Sequence, residues 1–452
     1  MKTLAAVILA AGKGTRMKSK LPKVLHKVGG RTMLEQIIAT LEAVGVEQTF
    51  VVVGYGADMV RSAVQKDVHW VSQHEQLGTG HAVLQAASAL SGFEGNVLVV
   101  NGDAPLLTAQ SLEGLVNHHL AGQNAATVLT ADVEDPTGYG RIIRNPDGRV
   151  QGIVEHKDAD PSQRKITEVN SGSFCFHWPR VSPVLKRLTP ANAQDEYYLT
   201  DVLSLLNQDN LPVGGYQLSD PMEMSGVNDR VQLAVVAEEL KNRTNQRLML
   251  AGVTIVDPGS TWIDVDVKIA PDTIILPNTF IKGGTEIGED CIIGPETTLE
   301  NVRIGDNVTV RNSIISDSAI GDNTTVGPFA YIRPNCQIGR DNRIGDFVEL
   351  KNAHTGDGSK VPHLAYVGDA RIGAHANIGC GVITANYDGQ KKHITTIGDK
   401  AFIGSNSNLI APVNVEDNAY VAAGSTITDD VPARALAVAR CRQTVKPDWR
   451  KD

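Results

Sequence analysis

A six-residue repeat of aliphatic residues fills the C-terminal half of this chain and constrains its fold more than any other feature. The repeat runs through three stretches, and glycine often follows the aliphatic residue directly. A period of six fits neither an α-helical face, with a period of about 3.6, nor an alternating strand, with a period of about two. It predicts a parallel β-helix of hexapeptide repeats, in which stacked coils share one aliphatic core. The three stretches are Ile263, Ile269, Ile275, Ile281, Ile287, Ile293 and Leu299; Ile320, Val326, Ile332, Ile338, Ile344 and Leu350; and Ile397, Ile403, Leu409, Val415, Val421 and Ile427.

Length and composition are those of an ordinary globular protein with two or three domains. The chain has 452 residues, of which 42% are hydrophobic, and no apolar run approaches the ~18 residues that span a bilayer. The apolar N-terminus superficially resembles a signal peptide, but its basic cluster follows the apolar stretch, so we interpret it as a first core strand. The net charge of -9 argues against general binding to nucleic acids or membrane surfaces.

The cysteines are odd in number, scattered along the chain, and form no Cys-x-x-Cys pair. This pattern argues against a disulfide framework or a zinc site and is typical of a reducing compartment. We therefore expect a cytoplasmic protein. The cysteines are Cys175, Cys291, Cys336, Cys380 and Cys441.

The order of segments predicts two domains joined by a helix. Residues 1–228 alternate strand-like and helix-like segments, which predicts a mostly parallel sheet with helices on both faces. Residues 229–250 lack proline and glycine and are predicted to form a helical linker. Residues 251–452 comprise the β-helix and a C-terminal tail. The hexapeptide repeat is interrupted at Lys351–Ala365 and Gly379–Thr396, where we expect loops.

The segment Leu9–Met17 follows the first predicted strand and is rich in glycine and basic residues. It lacks the Gly-Lys-Ser/Thr end of a Walker A loop and the third glycine of a dinucleotide-binding loop. Its glycines let the backbone approach a ligand, and Lys13, Arg16 and the nearby Lys23 suit a polyphosphate. On these residues alone, a strand-to-helix turn with a solvated basic face explains the segment equally well.

Seven motifs in the N-terminal half together resemble the signature of the sugar-1-phosphate nucleotidyltransferases. With the C-terminal half included, the whole chain resembles the bacterial family of bifunctional uridyltransferase–acetyltransferases that makes UDP-N-acetylglucosamine. The resemblance implies an α/β fold with a Rossmann-like nucleotidyltransferase domain, a connecting helix and a left-handed parallel β-helix. The motifs are Leu9-Ala10-Ala11-Gly12-Lys13-Gly14-Thr15-Arg16-Met17 with Pro22-Lys23, Glu75-Gln76-Leu77-Gly78-Thr79-Gly80-His81-Ala82, Gly102-Asp103, Gly138-Tyr139-Gly140-Arg141, Val154-Glu155-His156-Lys157, Glu168-Val169-Asn170-Ser171-Gly172 and Gly226-Val227-Asn228.

In the reaction that this resemblance implies, an oxygen of a sugar 1-phosphate attacks the α-phosphorus of UTP, and pyrophosphate leaves. Because the nucleophile is already anionic, catalysis needs positioning and charge neutralisation rather than a general base. Arg16 and Lys23 are the candidates for that neutralisation. Asp103 ends a strand-like run, and its carboxylate suits Mg²⁺, although taken alone it could be a turn residue. The resemblance implies that Asn228 supplies a second oxygen to the metal.

The resemblance also implies contacts with UTP and UDP-N-acetylglucosamine. Gln73 has the right chemistry for uracil, since an amide can both donate and accept hydrogen bonds. Many relatives have Tyr-Gly-Asp where this chain has Asn101-Gly102-Asp103, a departure that leaves the metal carboxylate in place. The implied contacts are Leu9, Ala10, Ala11, Gly12, Lys23 and Asn228, with Gln73, Gly78 and Thr79 at the uracil and Gly140, Glu155 and Asn170 at the sugar.

Polar residues in and around the interruptions of the β-helix resemble the acetyltransferase loops of the same family. Acetyl transfer to an amine needs a base, and His363 is the candidate because an unperturbed imidazole titrates near neutral pH. Arg333 and Lys351 are the expected phosphate clamp, and Tyr366 and Asn377 are expected to orient the sugar or to polarise the reacting groups. The resemblance implies that acetyl-CoA contacts Cys380, Asn386, Tyr387, Ser405, Ala423 and Arg440.

Cys380 is a departure, because alanine is common at this place in the family. We expect it to contribute its backbone and not to act as a nucleophile, since direct transfer from acetyl-CoA needs no acyl-enzyme. The resemblance further implies a homotrimer with acetyl-transfer sites between neighbouring subunits. It implies Mg²⁺ at the uridyltransferase site, UTP and acetyl-CoA as co-substrates, and glucosamine 1-phosphate and N-acetylglucosamine 1-phosphate as acceptors.

Two other functions compete with this interpretation. One is a single-activity sugar-1-phosphate nucleotidyltransferase whose β-helix serves assembly or regulation, and the set of Lys351, His363 and Asn386-Tyr387 argues against it. The other is a regulatory subunit that has both domains but no catalysis. The intact Lys23 and Asp103 argue against that second function.

Overall fold

The computed structural model describes residues 3–450 of the chain. They form two compact units, one ending at Leu240 and the other beginning at Lys241. A helix spans Arg230–Leu250, within the predicted linker, and the division between the units falls inside it. No helix among residues 3–450 is long and apolar enough to cross a membrane.

A mixed sheet of nine strands forms the centre of the first unit, and two further short strands, Lys27–Val28 and Arg31–Thr32, pair separately. The strands are β1 (Leu4–Ala10), β2 (Lys27–Val28), β3 (Arg31–Thr32), β4 (Gln48–Val53), β5 (His69–Ser72), β6 (Asn96–Asn101), β7 (Ala126–Asp132), β8 (Arg141–Arg144), β9 (Val150–Val154), β10 (Glu168–His177) and β11 (Val213–Gln217). The main order is β11-β7-β10-β6-β1-β4-β5, with β8 paired to β10 and β9. Strand β1 lies between β6 and β4 and is parallel to both, whereas β10 is antiparallel to β6 and β7.

Hydrophobic cores lie on both faces of this sheet, as expected of an α/β fold. Val7 belongs to one core and Ile8 to the other, because successive strand residues point to opposite faces. The helix Met33–Val44 begins at a capping box formed by Thr32 and Glu35. The helices are α1 (Met33–Val44), α2 (Ala57–Ala63), α3 (Thr79–Ala87), α4 (Ala109–Ala121), α5 (Trp178–Leu185), α6 (Asp201–Gln208) and α7 (Arg230–Leu250), with 3₁₀ helices at Thr15–Met17, Lys23–Leu25, Gln163–Lys165 and Pro221–Met224.

The second unit is the parallel β-helix that the hexapeptide repeat predicts. Its short strands form one sheet of eleven strands and a second network of seventeen. Aliphatic residues stack from coil to coil, as where Ile263 pairs with Ile281 and Ile281 with Leu299. Asparagine and aspartate, which tolerate the left-handed conformation, take positive φ at many corners, for example Asp272 and Asn278.

The strands of the β-helix are mostly two or three residues long. They are β12 (Thr254–Ile255), β13 (Trp262–Ile263), β14 (Lys268–Ile269), β15 (Ile274–Ile275), β16 (Phe280–Lys282), β17 (Glu286–Ile287), β18 (Ile292–Ile293), β19 (Thr298–Glu300), β20 (Arg303–Ile304), β21 (Thr309–Val310), β22 (Ile314–Ser316), β23 (Ala319–Ile320), β24 (Thr325–Val326), β25 (Tyr331–Ile332), β26 (Gln337–Ile338), β27 (Arg343–Asp346), β28 (Glu349–Thr355), β29 (Lys360–His363), β30 (Tyr366–Ile372), β31 (Asn377–Ile378), β32 (Ile383–Ala385), β33 (Thr395–Ile397), β34 (Phe402–Ile403), β35 (Asn408–Ile410), β36 (Val413–Val415), β37 (Tyr420–Val421), β38 (Thr426–Ile427) and β39 (Leu436–Ala437).

The two interruptions predicted from the repeat have different structures. The prediction of a loop at Lys351–Ala365 was wrong, because β28 and β29 occupy most of this segment and Arg343 of β27 pairs with Lys360. A shortened turn shifts the phase of the repeat there while the strands remain paired. The second interruption, Gly379–Thr396, contains a true insertion, which follows β32 and ends before β33.

Candidate active sites

A pocket of about 270 Å³ opens at the carboxyl edge of the sheet in the first unit. It lies there because β1, β4 and β6 are parallel, so the loops that follow them meet at one edge. The N–H of Gly102 donates a hydrogen bond to the carbonyl oxygen of Leu9 at 3.0 Å and joins the loop after β6 to the end of β1. The lining includes the predicted residues Leu9, Ala10, Ala11, Gly12, Lys23, Gln73, Gly78, Thr79 and Asp103, together with Val24, Gln76, Ala82, Asn101 and Glu196.

The ammonium of Lys23 joins the two predicted metal ligands. Its Nζ forms a salt bridge with Asp103 and lies 3.2 Å from Oδ1 of Asn228. The side chains of Lys23 and Asp103 are only 15% and 17% exposed. One carboxylate and one amide oxygen that converge on a cation are hard donors of the kind that Mg²⁺ prefers. This donor set therefore fits Mg²⁺.

The structure does not bring Arg16 into the pocket lining. Arg16 lies on the 3₁₀ helix Thr15–Met17, where its side chain is exposed while the neighbouring Met17 is buried. Its role at the triphosphate therefore stays a prediction.

The three predicted sugar contacts lie together. The N–H of Asn170 donates to the carbonyl oxygen of Gly140 at 2.9 Å. A Cβ added to Gly140 would lie 3.3 Å from the carboxylate oxygens of Glu155, so glycine keeps the backbone close to that group. Burial raises the pKa of Glu155, and Asp201 adds to the shift, although a hydrogen bond from Thr200 opposes it.

The buried side chain of Arg141 contacts residues next to two of these sugar contacts in the chain. Its side chain is 1% exposed, and its guanidinium donates to the carbonyl oxygens of Tyr139 and Arg164. The guanidinium also lies 3.3 Å from Nδ1 of His156, which follows Glu155 in the chain. Burial lowers the pKa of Arg141. In the sequence, Arg141 belongs to the motif Gly138-Tyr139-Gly140-Arg141, which by itself indicates no role for this side chain.

One face of the β-helix gathers the predicted phosphate clamp. Arg333 follows β25, Lys351 lies in β28 and Tyr366 begins β30, on successive coils. Lys351 pairs with Gly368, where a Cβ would collide with the hydroxyl of Tyr366. The ammonium of Lys392 lowers the pKa of Lys351, and Arg333 adds to this effect. Arg333 also forms a salt bridge with Glu349 at 2.9 Å, and the remaining excess of positive charge on this surface suits a phosphate.

His363 lies at a corner of the β-helix, in register with Asp346 of the preceding coil. Its Nδ1 is 2.6 Å from Oδ1 of Asp346, and this hydrogen bond holds the pKa of Asp346 below its ordinary value. A charged carboxylate accepts from Nδ1–H, so the lone pair resides on Nε2. This is the arrangement of a general base with an orienting carboxylate.

Cys380, Ser405 and Ala423 occupy the same corner on successive coils. Each stands two residues after a strand, and those strands (β31, β34 and β37) pair in register. The three residues form a row along the β-helix, and His363 occupies the same row on the preceding coil. Arg440 lies beside the last of these corners. Four of the six predicted acetyl-CoA contacts thus lie along one edge of the β-helix.

Asn386 and Tyr387 open the inserted loop. Asn386 is buried and donates to one carboxylate oxygen of Asp369, while Asn352 donates to the other at 2.6 Å. Tyr387 is exposed, and its hydroxyl donates to the carbonyl oxygen of Gly389 at 2.7 Å. The buried amide–carboxylate network anchors the loop and leaves the tyrosine ring accessible to a ligand.

Asn377 lies apart from the phosphate clamp. It belongs to β31 of the eleven-stranded sheet, whereas β28 and β30 of the clamp belong to the seventeen-stranded network. Within one chain, Asn377 and the clamp therefore face different directions.

The sequence analysis missed Asp346 and Lys392 as functional residues. The signal for Asp346 was present, because it precedes His363 by one coil of the repeat. Lys392 lies in the inserted loop, whose path no periodicity predicts.

The two units and their sites define a two-domain transferase, with a nucleotidyltransferase fold followed by a hexapeptide-repeat transferase fold. Residues 6–171 match the MobA-like NTP transferase domain. Residues 266–301 and 317–352 match the bacterial transferase hexapeptide (six repeats), and residues 394–429 match the hexapeptide repeat of succinyl-transferase.

Full-length relatives narrow this class to one family. The chain is 53% identical over 449 residues to the bifunctional protein GlmU of Brevibacillus brevis, covering 99% of this chain and 97% of the relative. It is 51% identical to the same-named proteins of Alkaliphilus metalliredigens (99% and 98% covered) and Geobacillus thermodenitrificans (98% and 97% covered). The chain belongs to the bifunctional GlmU family and is a bifunctional enzyme with uridyltransferase and acetyltransferase activities.

Proposed function

We propose that the C-terminal unit acetylates glucosamine 1-phosphate from acetyl-CoA and that the N-terminal unit joins the product to UMP from UTP, releasing pyrophosphate. The observation that carries this proposal is the convergence of Lys23, Asp103 and Asn228 beside the loop after β1. The hydrogen bond between His363 and Asp346 supports the second activity.

In the uridyltransferase site, the chain positions two anionic reactants against each other. Lys23 places a cation at the pocket wall, where it neutralises phosphate charge. Gly140, Glu155 and Asn170 bind the sugar hydroxyls and hold the sugar phosphate for in-line attack. Attack forms the new bond from the sugar phosphate oxygen to the α-phosphorus and breaks the bond to pyrophosphate.

We assign Asp103 and Asn228 as the residues that hold Mg²⁺. The ion, when bound, neutralises charge on the nucleotide phosphates. Both side chains contact Lys23, so the residues that would hold the ion adjoin the lysine that neutralises phosphate charge.

In the acetyltransferase site, Nε2 of His363 takes a proton from the ammonium of glucosamine 1-phosphate. The freed amine attacks the thioester carbonyl, the carbon–sulfur bond breaks, and the departing thiolate of CoA takes up a proton. Asp346 keeps Nδ1 protonated throughout, so the base stays in the productive tautomer. Arg333 and Lys351 bind the phosphate, and the row that contains Cys380 binds CoA.

We further propose that the enzyme is a homotrimer with each acetyl site shared between subunits. Phe329, Phe347 and Leu364 occupy corners with positive φ on successive coils, and all three are more than half exposed. The rings of Phe329 and Phe347 stack at 5.4 Å. Exposed apolar side chains at corners that favour glycine or asparagine support burial against a neighbouring subunit. Asn377 faces away from the phosphate clamp of its own chain, so we expect the Asn377 of a neighbouring subunit to complete each acetyl-transfer site.

We also propose a cytoplasmic location. The described cysteines are free thiols, and two of them, Cys380 and Cys441, are exposed. Exposed thiols are typical of a reducing compartment, which is also where the proposed nucleotide and CoA substrates are plentiful.

Two assays on three variants test the proposal. Pyrophosphate release from UTP and N-acetylglucosamine 1-phosphate should collapse in Asp103→Asn and persist in His363→Ala. Thiol release from acetyl-CoA and glucosamine 1-phosphate should fall about 10²- to 10⁴-fold in His363→Ala and persist in Asp103→Asn. His375→Asn is the matched control, because His375 is exposed at a positive-φ corner that asparagine tolerates. Absence of either activity in the unmodified enzyme would refute that half of the proposal.

A further inference from the structure

A chain of three polar side chains runs from the surface of α3 to the uridyltransferase pocket. Gln73 lines the pocket and is only 3% exposed. Its Nε2 lies 3.3 Å from the carbonyl oxygen of Gly78 and 2.9 Å from Nδ1 of His81. On the far side of the imidazole, Nε2 of His81 lies 3.0 Å from the amide of Gln85.

The Gly78 carbonyl determines which way round the amide of Gln73 lies. A carbonyl oxygen only accepts hydrogen bonds, so the NH₂ group of Gln73, and not its oxygen, must face Gly78. The second N–H of the same group then donates to Nδ1 of His81, which must carry a lone pair. The imidazole proton therefore resides on Nε2. Rotating the terminal amide of Gln85 by 180° exchanges its nitrogen and oxygen, so that the amide oxygen accepts from this N–H.

This order leaves the amide oxygen of Gln73 as the group available to a ligand in the pocket. Uracil presents an N3–H donor at its pairing edge, whereas cytosine presents an unprotonated N3 acceptor at the same place. An amide oxygen that faces N3 of the base would therefore accept from uracil and repel cytosine.

We propose that His81 is a positioning residue that selects uracil over cytosine by fixing the orientation of the Gln73 amide. The inference rests on the proposed uridyltransferase activity and extends it to the choice of nucleobase. Without the acceptor at Nδ1, the NH₂ group loses one of its two anchors. The amide can then turn to present N–H to the base.

Competition between nucleotides tests this inference in the full-length enzyme. Discrimination between uracil and cytosine is measured by two constants: kcat/KM for UTP, and the inhibition constant of CTP in the same reaction. His81→Phe keeps a ring without either nitrogen and should reduce discrimination about tenfold, the effect of one hydrogen bond. His81→Asn returns an acceptor oxygen near the Nδ1 position and should restore discrimination.

The controls separate base selection from general damage. His74→Leu removes an exposed imidazole next to Gln73 and should leave discrimination unchanged. His81→Leu is a second variant to use if the phenylalanine ring prevents folding. Equal loss of affinity for UTP and CTP in the Phe and Leu variants, or failure of His81→Asn to restore discrimination, would overturn the inference. Failure of the proposed function is a distinct result, because the unmodified enzyme would then release no pyrophosphate from UTP.

Discussion

The hydrogen bond between Asp346 and His363 predicts a specific loss of acetyl transfer in Asp346→Asn. The carboxylate accepts from Nδ1–H at 2.6 Å, and it thereby keeps the lone pair on Nε2. An asparagine can present its NH₂ group to Nδ1 instead, which stabilises the opposite tautomer and leaves a proton on the base. The substitution changes one atom and removes one charge, so the fold should be unaffected.

The expected magnitude follows from the exposure of the pair. In a buried Ser-His-Asp triad the same substitution costs about 10⁴ in kcat. Here the side chains of His363 and Asp346 are 50% and 40% exposed, so water competes for Nδ1 and weakens the control of the tautomer. We therefore expect kcat for thiol release to fall about 10²-fold, with KM for glucosamine 1-phosphate nearly unchanged.

The assay is steady-state thiol release from acetyl-CoA, with pyrophosphate release as the internal test of folding. Asp341→Asn is the matched control, since it removes a charge from the same coil at a corner with positive φ. A wild-type kcat in Asp346→Asn would refute the idea that Asp346 controls the tautomer. A fall confined to the affinity for the sugar phosphate would refute it as well.

Two further predictions concern the cores of the two units. Ile332 is fully buried in the aliphatic ladder of the β-helix, so Ile332→Ala should lower the free energy of unfolding of that unit by about 2–5 kcal/mol. Denaturant unfolding measures this loss, and a change below about 1 kcal/mol would show that the coil collapses around the cavity. Arg141→Met removes the buried guanidinium that contacts Tyr139 and His156, the chain neighbours of Gly140 and Glu155, and it should raise KM for N-acetylglucosamine 1-phosphate about tenfold while acetyl transfer is retained. An unchanged KM in a folded variant would contradict the positioning role.

The N-terminal site shows what motif reasoning predicts well. Asp103 follows β6, and Leu9–Gly12 comprises the end of β1 and the start of the next loop. Parallel neighbouring strands bring such segments to one edge of a sheet. The pocket lining therefore contains most of the predicted nucleotide contacts. Arg16 lies outside that lining. Its side chain is exposed on a short 3₁₀ helix, and the sequence contains no packing pattern that would predict where such a side chain points.

The β-helix shows where periodicity misleads. The six-residue repeat is lost after Leu350, and this loss predicts a loop. The backbone nevertheless continues as strand, because the hydrogen bonds to the neighbouring coil tolerate a shortened turn. Only the second interruption lengthens the chain enough to leave the coil. A phase shift and an insertion both interrupt the repeat in the sequence. Only the pairing of each coil with its neighbours distinguishes them.

The sequence by itself determined the α/β architecture of the first unit, the β-helix of the second and the motifs that carry the two chemistries. These are local or periodic features, since a repeat and a loop motif follow from residues close together in the chain. The tertiary structure alone decided the contacts between distant residues: Lys23 with Asp103 and Asn228, Asp346 with His363, and the separation of Asn377 from the clamp. The physical reason is that none of these arrangements is local in the chain. The contacts of Lys23 depend on how a 3₁₀ helix and two loops pack at the edge of the sheet, and the pairing of Asp346 with His363 depends on the register between neighbouring coils.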